Sequence, residues 1–143
     1  MASFGSRSRE RLNSCHVDLR LICDEAIKTM DFSVLEGHRS YSKQREYYKA
    51  GRSKLDGVKK KSKHQKTPSE AVDIAPYPID FKQVAKSKAR FYLLAGVMLQ
   101  ASEKLLSEGK ISHKLRWGGD WDSDKEFSDQ SFDDLPHFEL IEV

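Results

Sequence analysis

Apolar residues recur at helical spacing in two parts of the chain, one near the N-terminus and one later. The later part runs from about Phe81 to Glu108, and Gly109 stands where a glycine would end a helix. A third helix is predicted through YSKQREYYKA, because Ser40 can cap its start and Gly51 can stop its end. The first amphipathic set predicts one N-terminal helix and consists of Leu12, Cys15, Leu19, Ile22, Cys23, Ala26, Ile27 and Met30.

Four shorter segments have the character of strands: DFSVLEGH, AVDIA, HKLRW and HFELIEV. Pro76 and Pro78 close AVDIA, and an acidic loop that begins GGDW separates the last two segments. Helices and strands alternate in no regular order, which favours an α+β fold with about three helices and a small, largely antiparallel sheet.

Alternation along two of these strands brings polar side chains to one face of the sheet. If Val72 and Ile74 point into the core, then Asp73 points the other way, flanked by two alanines. In HFELIEV the core residues are Phe138 and Leu140, so His137 and Glu139 share the opposite face. A carboxylate and an imidazole therefore project from two strands of one sheet, and His64 arrives from the preceding loop.

Composition indicates a single globular domain over residues 1–143. Charged residues make up 33% of the chain and hydrophobic residues 38%, and no run reaches the roughly 18 apolar residues of a membrane span. The N-terminus lacks an apolar signal core, so we expect synthesis in a cytoplasm without Sec export or membrane insertion. Cys15 and Cys23 fall on the same predicted helix, too far apart for a disulfide, and we expect both to be buried as small hydrophobes.

The net charge of +3 is unevenly distributed. Only Glu46 and Asp56 oppose a group of basic residues within 43–66. This segment is either an ordinary solvated surface or a site that attracts a polyanion, such as nucleic acid or an anionic cell-wall polymer. The basic residues are Lys43, Arg45, Lys49, Arg52, Lys54, Lys59, Lys60, Lys61, Lys63 and Lys66.

Two imidazoles and one carboxylate, here His64, His137 and Asp73, are a ligand set of catalytic zinc, which keeps a further position open for water. Zinc lowers the pKa of that water to about 7, and a neighbouring base is still required. Asp133 and Asp134 lie just upstream of His137. Each residue alone has an ordinary alternative, His64 as a surface residue and His137 as a half-buried structural one.

SKHQ…AVDIAP followed by DLPHFEL resembles the zinc peptidases that include D-Ala-D-Ala carboxypeptidases. The most similar members are small phage endolysins that cut the L-alanyl-D-glutamate bond of peptidoglycan. Their pattern is S-x-H-x(6)-D followed by an acid-x-x-His. GHRSYSKQ is similar to the family's G-x-R-[ST] segment, and RWGGDW to its aromatic, glycine-rich strand end. The resemblance covers about residues 33 to 140, and the residues that match the pattern are Ser62, His64, Asp73, Asp134 and His137.

The sequence departs from the family pattern in two places. His64 and Asp73 are nine residues apart, farther than the pattern has them, and KTPSE is interpreted as a small loop insertion. Aspartate at 134 replaces the glutamate of many relatives, which favours the phage branch. Asp133 is the rival base, since it shares a strand face with His137, whereas Asp134 requires a turn at Leu135-Pro136.

The resemblance implies the zinc D-Ala-D-Ala carboxypeptidase-like fold of Hedgehog and DD-peptidase proteins. It implies a Zn²⁺ ion held by His64, Asp73 and His137. Asp134 is then the general base and later the proton donor, and Arg39 stabilises charge near the scissile carbonyl.

The expected protein is a phage endolysin, a monomeric L-alanyl-D-glutamate endopeptidase without a separate wall-binding domain. It waits in the host cytoplasm and acts on the peptide stem of peptidoglycan after release, with no nucleic-acid partner. The alternatives are a D,D- or L,D-carboxypeptidase on the same scaffold and a non-catalytic zinc-stapled binding module.

Several other residues allow two interpretations. Trp117 and Trp121 line the cleft or belong to the core, and Ser62 orients a ligand or shapes its turn. DWDSD has acids at alternating places like a calcium loop, but lacks that loop's glycine at the sixth position and glutamate at the twelfth, so calcium in 120–134 stays open. We expect His16 and His113 to be structural or solvent-facing.

Overall fold

The computed structural model describes residues 2–123 and 134–143. They form four α-helices and one four-stranded sheet, which confirms the α+β prediction with one helix more than expected. Two short 3₁₀ segments, Lys63–Gln65 and Phe81–Ser87, lie between the regular elements. None of the described helices is both long and apolar enough to cross a membrane. The elements are α1 (Ser6–Asn13), α2 (Val17–Ala26), β1 (Phe32–Glu36), α3 (Tyr41–Lys49), β2 (Ala71–Pro76), α4 (Lys88–Ser107), β3 (Lys114–Trp117) and β4 (His137–Ile141).

The sheet has the strand order β1-β2-β4-β3, and every neighbouring pair is antiparallel. In this register Asp73 of β2 stands opposite His137 of β4. A bulge between Val34 and Glu36 shifts the β1 register, so that Glu36 stands opposite Asp73 on the other side. The sheet therefore brings Glu36, Asp73 and His137 into one row across three strands.

One face of the sheet packs against α2 and α4 and forms the hydrophobic core. Val72, Ile74, Phe138 and Leu140 are all essentially inaccessible and belong to this core. The alternation predicted for β2 and β4 is thus confirmed, and it sends the polar residues of both strands to the opposite face.

The single N-terminal helix was a wrong prediction, because the chain breaks at residues 14–16 into α1 and α2. Backbone bonding to a distant segment causes the break: the N–H of His16 donates to the carbonyl of Ser69 over 2.8 Å, and the N–H of Ser69 donates to the carbonyl of Ser14 over 2.9 Å. His16 then caps α2 by accepting a hydrogen bond from the N–H of Asp18. Cys15 lies in this break rather than on a helix, but both cysteines are buried and free as expected.

The longest helix also begins later than predicted, at Lys88 instead of Phe81. The backbone of Gln83 leaves the helical region, with φ of −131°, within a 3₁₀ segment that precedes the helix. The two glycine stops agree with the prediction, since Gly51 and Gly109 both adopt positive φ directly after α3 and α4.

Candidate metal centre and active site

Three side-chain atoms converge on the polar face of the sheet, one each from His64, Asp73 and His137. His64 Nε2 and His137 Nδ1 each lie 3.2 Å from Asp73 Oδ1, and the two nitrogens are 3.3 Å apart. These separations match the edge of a tetrahedron whose centre is bonded to N and O at ~2.0 Å, which is ~3.3 Å. The structure therefore brings together the three residues singled out in the sequence. Their role as metal ligands stays a prediction.

His64 is held in place from the side opposite Asp73. It lies in a 3₁₀ turn capped by Ser62, whose side chain accepts from the N–H of His64 and whose own N–H donates to the side-chain oxygen of Gln65. Ser62 thus shapes the turn and positions the imidazole. His64 Nδ1–H donates to the carbonyl of Gly37 over 2.7 Å. Because a carbonyl only accepts, the neutral imidazole must present its lone pair on Nε2, toward Asp73.

Gly37 can hold His64 only because it lacks a side chain. A Cβ at this position would lie 2.3 Å from the carbonyl oxygen of Arg11 and 2.9 Å from Cys15 Sγ. The glycine of the GHRS motif is therefore explained by the close approach of α1 and the segment that follows it.

Part of the interpreted insertion KTPSE lies at the surface, whereas its Ser69 is buried. The N–H of Glu70 donates to the carbonyl of Lys63 over 3.1 Å, which closes the segment, and residues 66–68 are exposed. The longer spacing leaves both His64 and Asp73 at the centre, as expected for a loop insertion.

His137 is oriented by a neighbour two positions along β4. Its Nε2–H donates to Glu139 Oε1 over 2.8 Å, so in the neutral imidazole the lone pair lies on Nδ1, the nitrogen that faces Asp73. Glu139 Oε2 in turn accepts from Arg116 over 2.7 Å and lies 3.7 Å from Lys63 Nζ. A carboxylate behind a ligating histidine fixes its tautomer and raises its basicity. The sequence analysis placed Glu139 on this face but assigned it no function.

The charges of the centre are strongly coupled. Burial opposes charge on both Asp73 and His137, yet hydrogen bonds between the imidazoles and the carboxylate hold the pKa of Asp73 well below its usual range. Hydrogen bonds to Asp73 and Glu139 raise the pKa of His137 to about 9, again against burial. Glu139 is also buried, but His137 and Arg116 lower its pKa to about 2. Without a metal, Asp73 and Glu139 thus favour the protonated form of His137, and a metal ion bound at Nδ1 would displace that proton.

Asp134 lies beside this centre because the chain turns immediately before β4. The N–H of His137 donates to the carbonyl of Asp134 over 3.1 Å, so the turn expected at Leu135-Pro136 is present. Burial and the nearby Asp73 raise the pKa of Asp134. Asp133, the rival base, lies outside the described residues, as does most of the acidic loop considered for calcium.

Gly118 of the RWGGDW motif fixes the start of that turn. The N–H of Asp134 donates to the carbonyl of Gly118 over 2.9 Å, and the N–H of Gly118 donates to the carbonyl of His137 over 2.8 Å. A Cβ on Gly118 would lie 2.2 Å from the carbonyl oxygen of Asp134. The motif therefore permits a close backbone approach that places the acid next to the histidine.

Arg39 is nearly buried, 8% exposed, on the other side of Asp73. Its Nε–H donates to Glu36 over 2.6 Å and its Nη1–H donates to Gln44 over 2.8 Å. Nη2 lies 3.6 Å from Asp73 Oδ2, and the guanidinium stacks 4.5 Å above the ring of Tyr47. The structure thus fixes a positive charge at the centre through three residues, Glu36, Gln44 and Tyr47, that the sequence analysis missed.

The two tryptophans have different surroundings. Trp117 is 2% exposed and packs in the core against Tyr92 and Phe138. Trp121 lies against His137, with ring centroids 5.4 Å apart. A separate cleft of about 430 Å³ is lined by both tryptophans but by none of His64, Asp73 and His137. Of the two, only Trp121 is placed to line the site.

Comparisons with known proteins agree with this geometry. A family model described as phage L-alanyl-D-glutamate peptidase matches residues 1–141. The structure is similar to the crystal structure of the Serratia marcescens L-Ala D-Glu endopeptidase ChiX, with 26% sequence identity, a TM-score of 0.67, and coverage of 97% of this chain and 90% of that one. No curated protein matches the chain. Since the family model spans nearly every residue, the chain belongs to the phage L-alanyl-D-glutamate peptidases, enzymes that cleave peptidoglycan.

Proposed function

We propose that this peptidase works with a zinc ion held by His64 Nε2, Asp73 Oδ1 and His137 Nδ1. The observation that carries the proposal is the mutual separation of these atoms, 3.2–3.3 Å. In each imidazole the other ring nitrogen is held by a carbonyl or carboxylate oxygen, which leaves the inward nitrogen to bind a metal. Two nitrogens and one oxygen fit zinc, and three protein ligands leave a coordination position for water or substrate. When bound, zinc supplies Lewis-acid activation of water and of the scissile carbonyl.

The protein's own residues supply the remaining steps. Asp134 accepts a proton from the attacking water and then donates it to the leaving amine, a role that its raised pKa supports. Arg39 stabilises the negative charge that develops on the carbonyl oxygen. Glu139 and Gly37 hold the two imidazoles in the tautomers that these steps require.

The proposed substrate bond is L-alanyl-D-glutamate in the stem peptide of peptidoglycan, as the family description and the ChiX similarity support. Arg39 and the basic segment 43–66 give the region around His64 a positive character that suits an acidic stem and an anionic wall. Most basic side chains of this segment are exposed, namely Lys43, Lys49, Arg52, Lys54, Lys59, Lys60, Lys61 and Lys66.

We further propose that one chain is sufficient for activity, since every residue of the centre comes from the same chain. As a phage enzyme it is made in the host cytoplasm, reaches the wall upon release and causes lysis there.

Digestion of purified muropeptides, followed by mass spectrometry, tests the proposal. A newly freed L-alanine carboxyl end is expected, and a chelator should abolish the product until zinc is restored. Loss of a terminal D-alanine instead would identify a carboxypeptidase. Metal content without cleavage of any muropeptide would indicate a zinc-stapled binding module.

A further inference from the structure

A second cluster of two histidines and an aspartate lies outside the site described above. His16 caps the start of α2, Asp18 lies in its first turn, and His113 immediately precedes β3. One ligand atom from each residue lies within 4.8 Å of the other two. We propose that His16, Asp18 and His113 form a second divalent-cation site, of the zinc class.

The carboxylate of this cluster is already fixed. Asp18 is 4% exposed, and its Oδ2 accepts from the N–H of Ser112 over 3.0 Å and from His113 Nδ1–H over 2.8 Å. Ser112 Oγ–H reaches the same oxygen over 3.3 Å. Within residues 2–123 and 134–143, the other oxygen, Oδ1, has no hydrogen bond and faces His16 Nδ1 at 3.9 Å. A buried carboxylate thus presents one oxygen toward an imidazole while its partner oxygen anchors it.

The two imidazoles provide both donors and access. Their ring centroids are 5.0 Å apart with the planes at 77°, and both side chains are about one-quarter exposed, 26% for His16 and 23% for His113. A cation can therefore reach the cluster from solvent on the imidazole side, with the carboxylate beneath it. Imidazole nitrogen with one carboxylate favours zinc, and also cobalt, nickel and copper, over magnesium or calcium.

Hydrogen bonding alone does not account for this choice of residues. His16 Nδ1 accepts from the N–H of Asp18 over 3.0 Å, but serine, threonine, asparagine or aspartate would cap a helix at least as well. Instead, imidazoles from two distant segments meet at one buried acid, and Asp18 and His113 are 95 residues apart. The bound cation would replace the capping bond at Nδ1 and the proton between His113 and Asp18.

The ligand atoms of the second cluster lie farther apart than those of the His64 centre, and this difference determines which of the two binds zinc more tightly. Its His16–Asp18 pair must close from 3.9 Å to the ~3.3 Å of a tetrahedral edge, whereas the pairs at Asp73 already lie at 3.2 Å. An imidazole that is one-quarter exposed, as His16 is, can make this change by side-chain rotation. The cluster therefore binds zinc more weakly than the His64 centre, and it ties the start of α2 to the start of β3.

The test is the zinc stoichiometry of the full chain, measured by mass spectrometry of the metal after equilibration over a range of buffered free zinc. The wild type is expected to bind one zinc tightly and a second more weakly. His113→Ala and His16→Asn should each lose only the weaker zinc, and the asparagine keeps a capping side chain. Asp73→Asn should keep only the weaker one, and His38→Ala, at an exposed histidine outside both clusters, should keep both.

Cobalt provides a second readout that does not depend on activity. The visible absorption of Co²⁺ added to Asp73→Asn should saturate at one equivalent and disappear on the further change His113→Ala. A wild-type protein that saturates at one zinc, or a second zinc that survives in both His113→Ala and His16→Asn, overturns the proposal. Neither outcome bears on the proposed His64 centre. That centre is tested separately by whether the His113→Ala variant still cleaves muropeptides.

Discussion

His137 and Glu139 stand on the same face of β4, and the imidazole Nε2–H donates to the Glu139 carboxylate over 2.8 Å. This bond determines which nitrogen of His137 faces Asp73. Glu139 is itself anchored by Arg116 on the neighbouring strand β3, so the orientation of a proposed ligand depends on two strands of the sheet.

Replacement of Glu139 by glutamine should therefore weaken zinc binding without removing a ligand. We expect a 10- to 100-fold loss of zinc affinity, roughly the effect of losing a carboxylate behind a ligating histidine. Competition with a chromophoric chelator measures the affinity. Glu142→Gln, at an exposed position of the same chain end, is the matched control and should leave it unchanged. Equal affinities for the two variants would show that Glu139 has no positioning role.

Asp134→Asn should separate chemistry from metal binding. The amide cannot accept the proton of the attacking water, so kcat should fall by about 10²- to 10⁴-fold while the zinc content stays at the wild-type level. Muropeptide turnover and metal analysis on the same samples provide both values. Asp133→Asn is the informative comparison. A severe loss of kcat in that variant, with normal turnover in Asp134→Asn, would assign the base to Asp133.

Arg39→Lys should impair turnover with little effect on zinc. Lysine keeps the charge but cannot donate to Glu36 and Gln44 together, so its ammonium is not fixed beside Asp73. We expect kcat/KM to fall by about 10²-fold, as for the loss of a group that stabilises the transition-state oxyanion. Arg52→Lys is the control, because Arg52 also lies near the Tyr47 ring, at 5.6 Å, but makes no contact with Asp73. Similar rates for both variants would contradict the role of Arg39.

Gly37→Ala should damage both the fold and the metal centre. The added Cβ would meet the Arg11 carbonyl at 2.3 Å, and the displaced Gly37 carbonyl could no longer accept from His64. Overpacking of this kind costs about 1–3 kcal/mol of unfolding free energy, and zinc affinity should fall as well. Urea denaturation of the metal-free protein isolates the first effect.

Gly96→Ala is the control for that variant, because Gly96 lies within α4 with no atom within 4 Å of its added Cβ. It should raise the unfolding free energy by about 1 kcal/mol through helix propensity. A stabilised Gly37→Ala would show that α1 can move away at no cost.

The sequence predicts much of the candidate metal centre because strand alternation is a local rule. Val72 and Ile74 identify the core face, so Asp73 must lie on the other, and the same reasoning places His137 and Glu139. What alternation cannot provide is the register between strands. The pairing of Asp73 with His137 depends on segments 64 residues apart, and only the family pattern suggested it.

The sequence could not predict which side chains from distant elements would contact each other. The Arg39 site uses a carboxylate from β1 and an amide from α3, and Asp18 meets His113 across 95 residues. Nothing in the helical periodicity of residues 12–30 indicated the break at Cys15, since the backbone there bonds to Ser69 instead of continuing the helix. Tertiary hydrogen bonds overrode a strong local pattern at that point.

The burial of Cys15 in this break predicts a dependence of stability on pH. Burial raises the pKa of its thiol from 9.0 to about 12. Below pH 9 the thiol is protonated in both states and the shift has no effect. As pH rises above 9, the unfolded chain loses this proton while the folded chain keeps it, so the contribution of Cys15 to stability is progressively lost.

Cys15→Ala and Cys15→Ser lack the titrating thiol and provide the comparison. At pH 10 the wild type should have lost about 1 kcal/mol of unfolding free energy that neither variant loses, relative to its value at pH 7. Groups that do not interact with Cys15 titrate equally in all three proteins and cancel. Chemical denaturation at the two pH values, with a reductant present, measures the difference. A gap between wild type and variants that stays constant with pH would mean that the Cys15 thiol ionises in the folded protein as readily as in the unfolded chain, and so that the junction of α1 and α2 admits water.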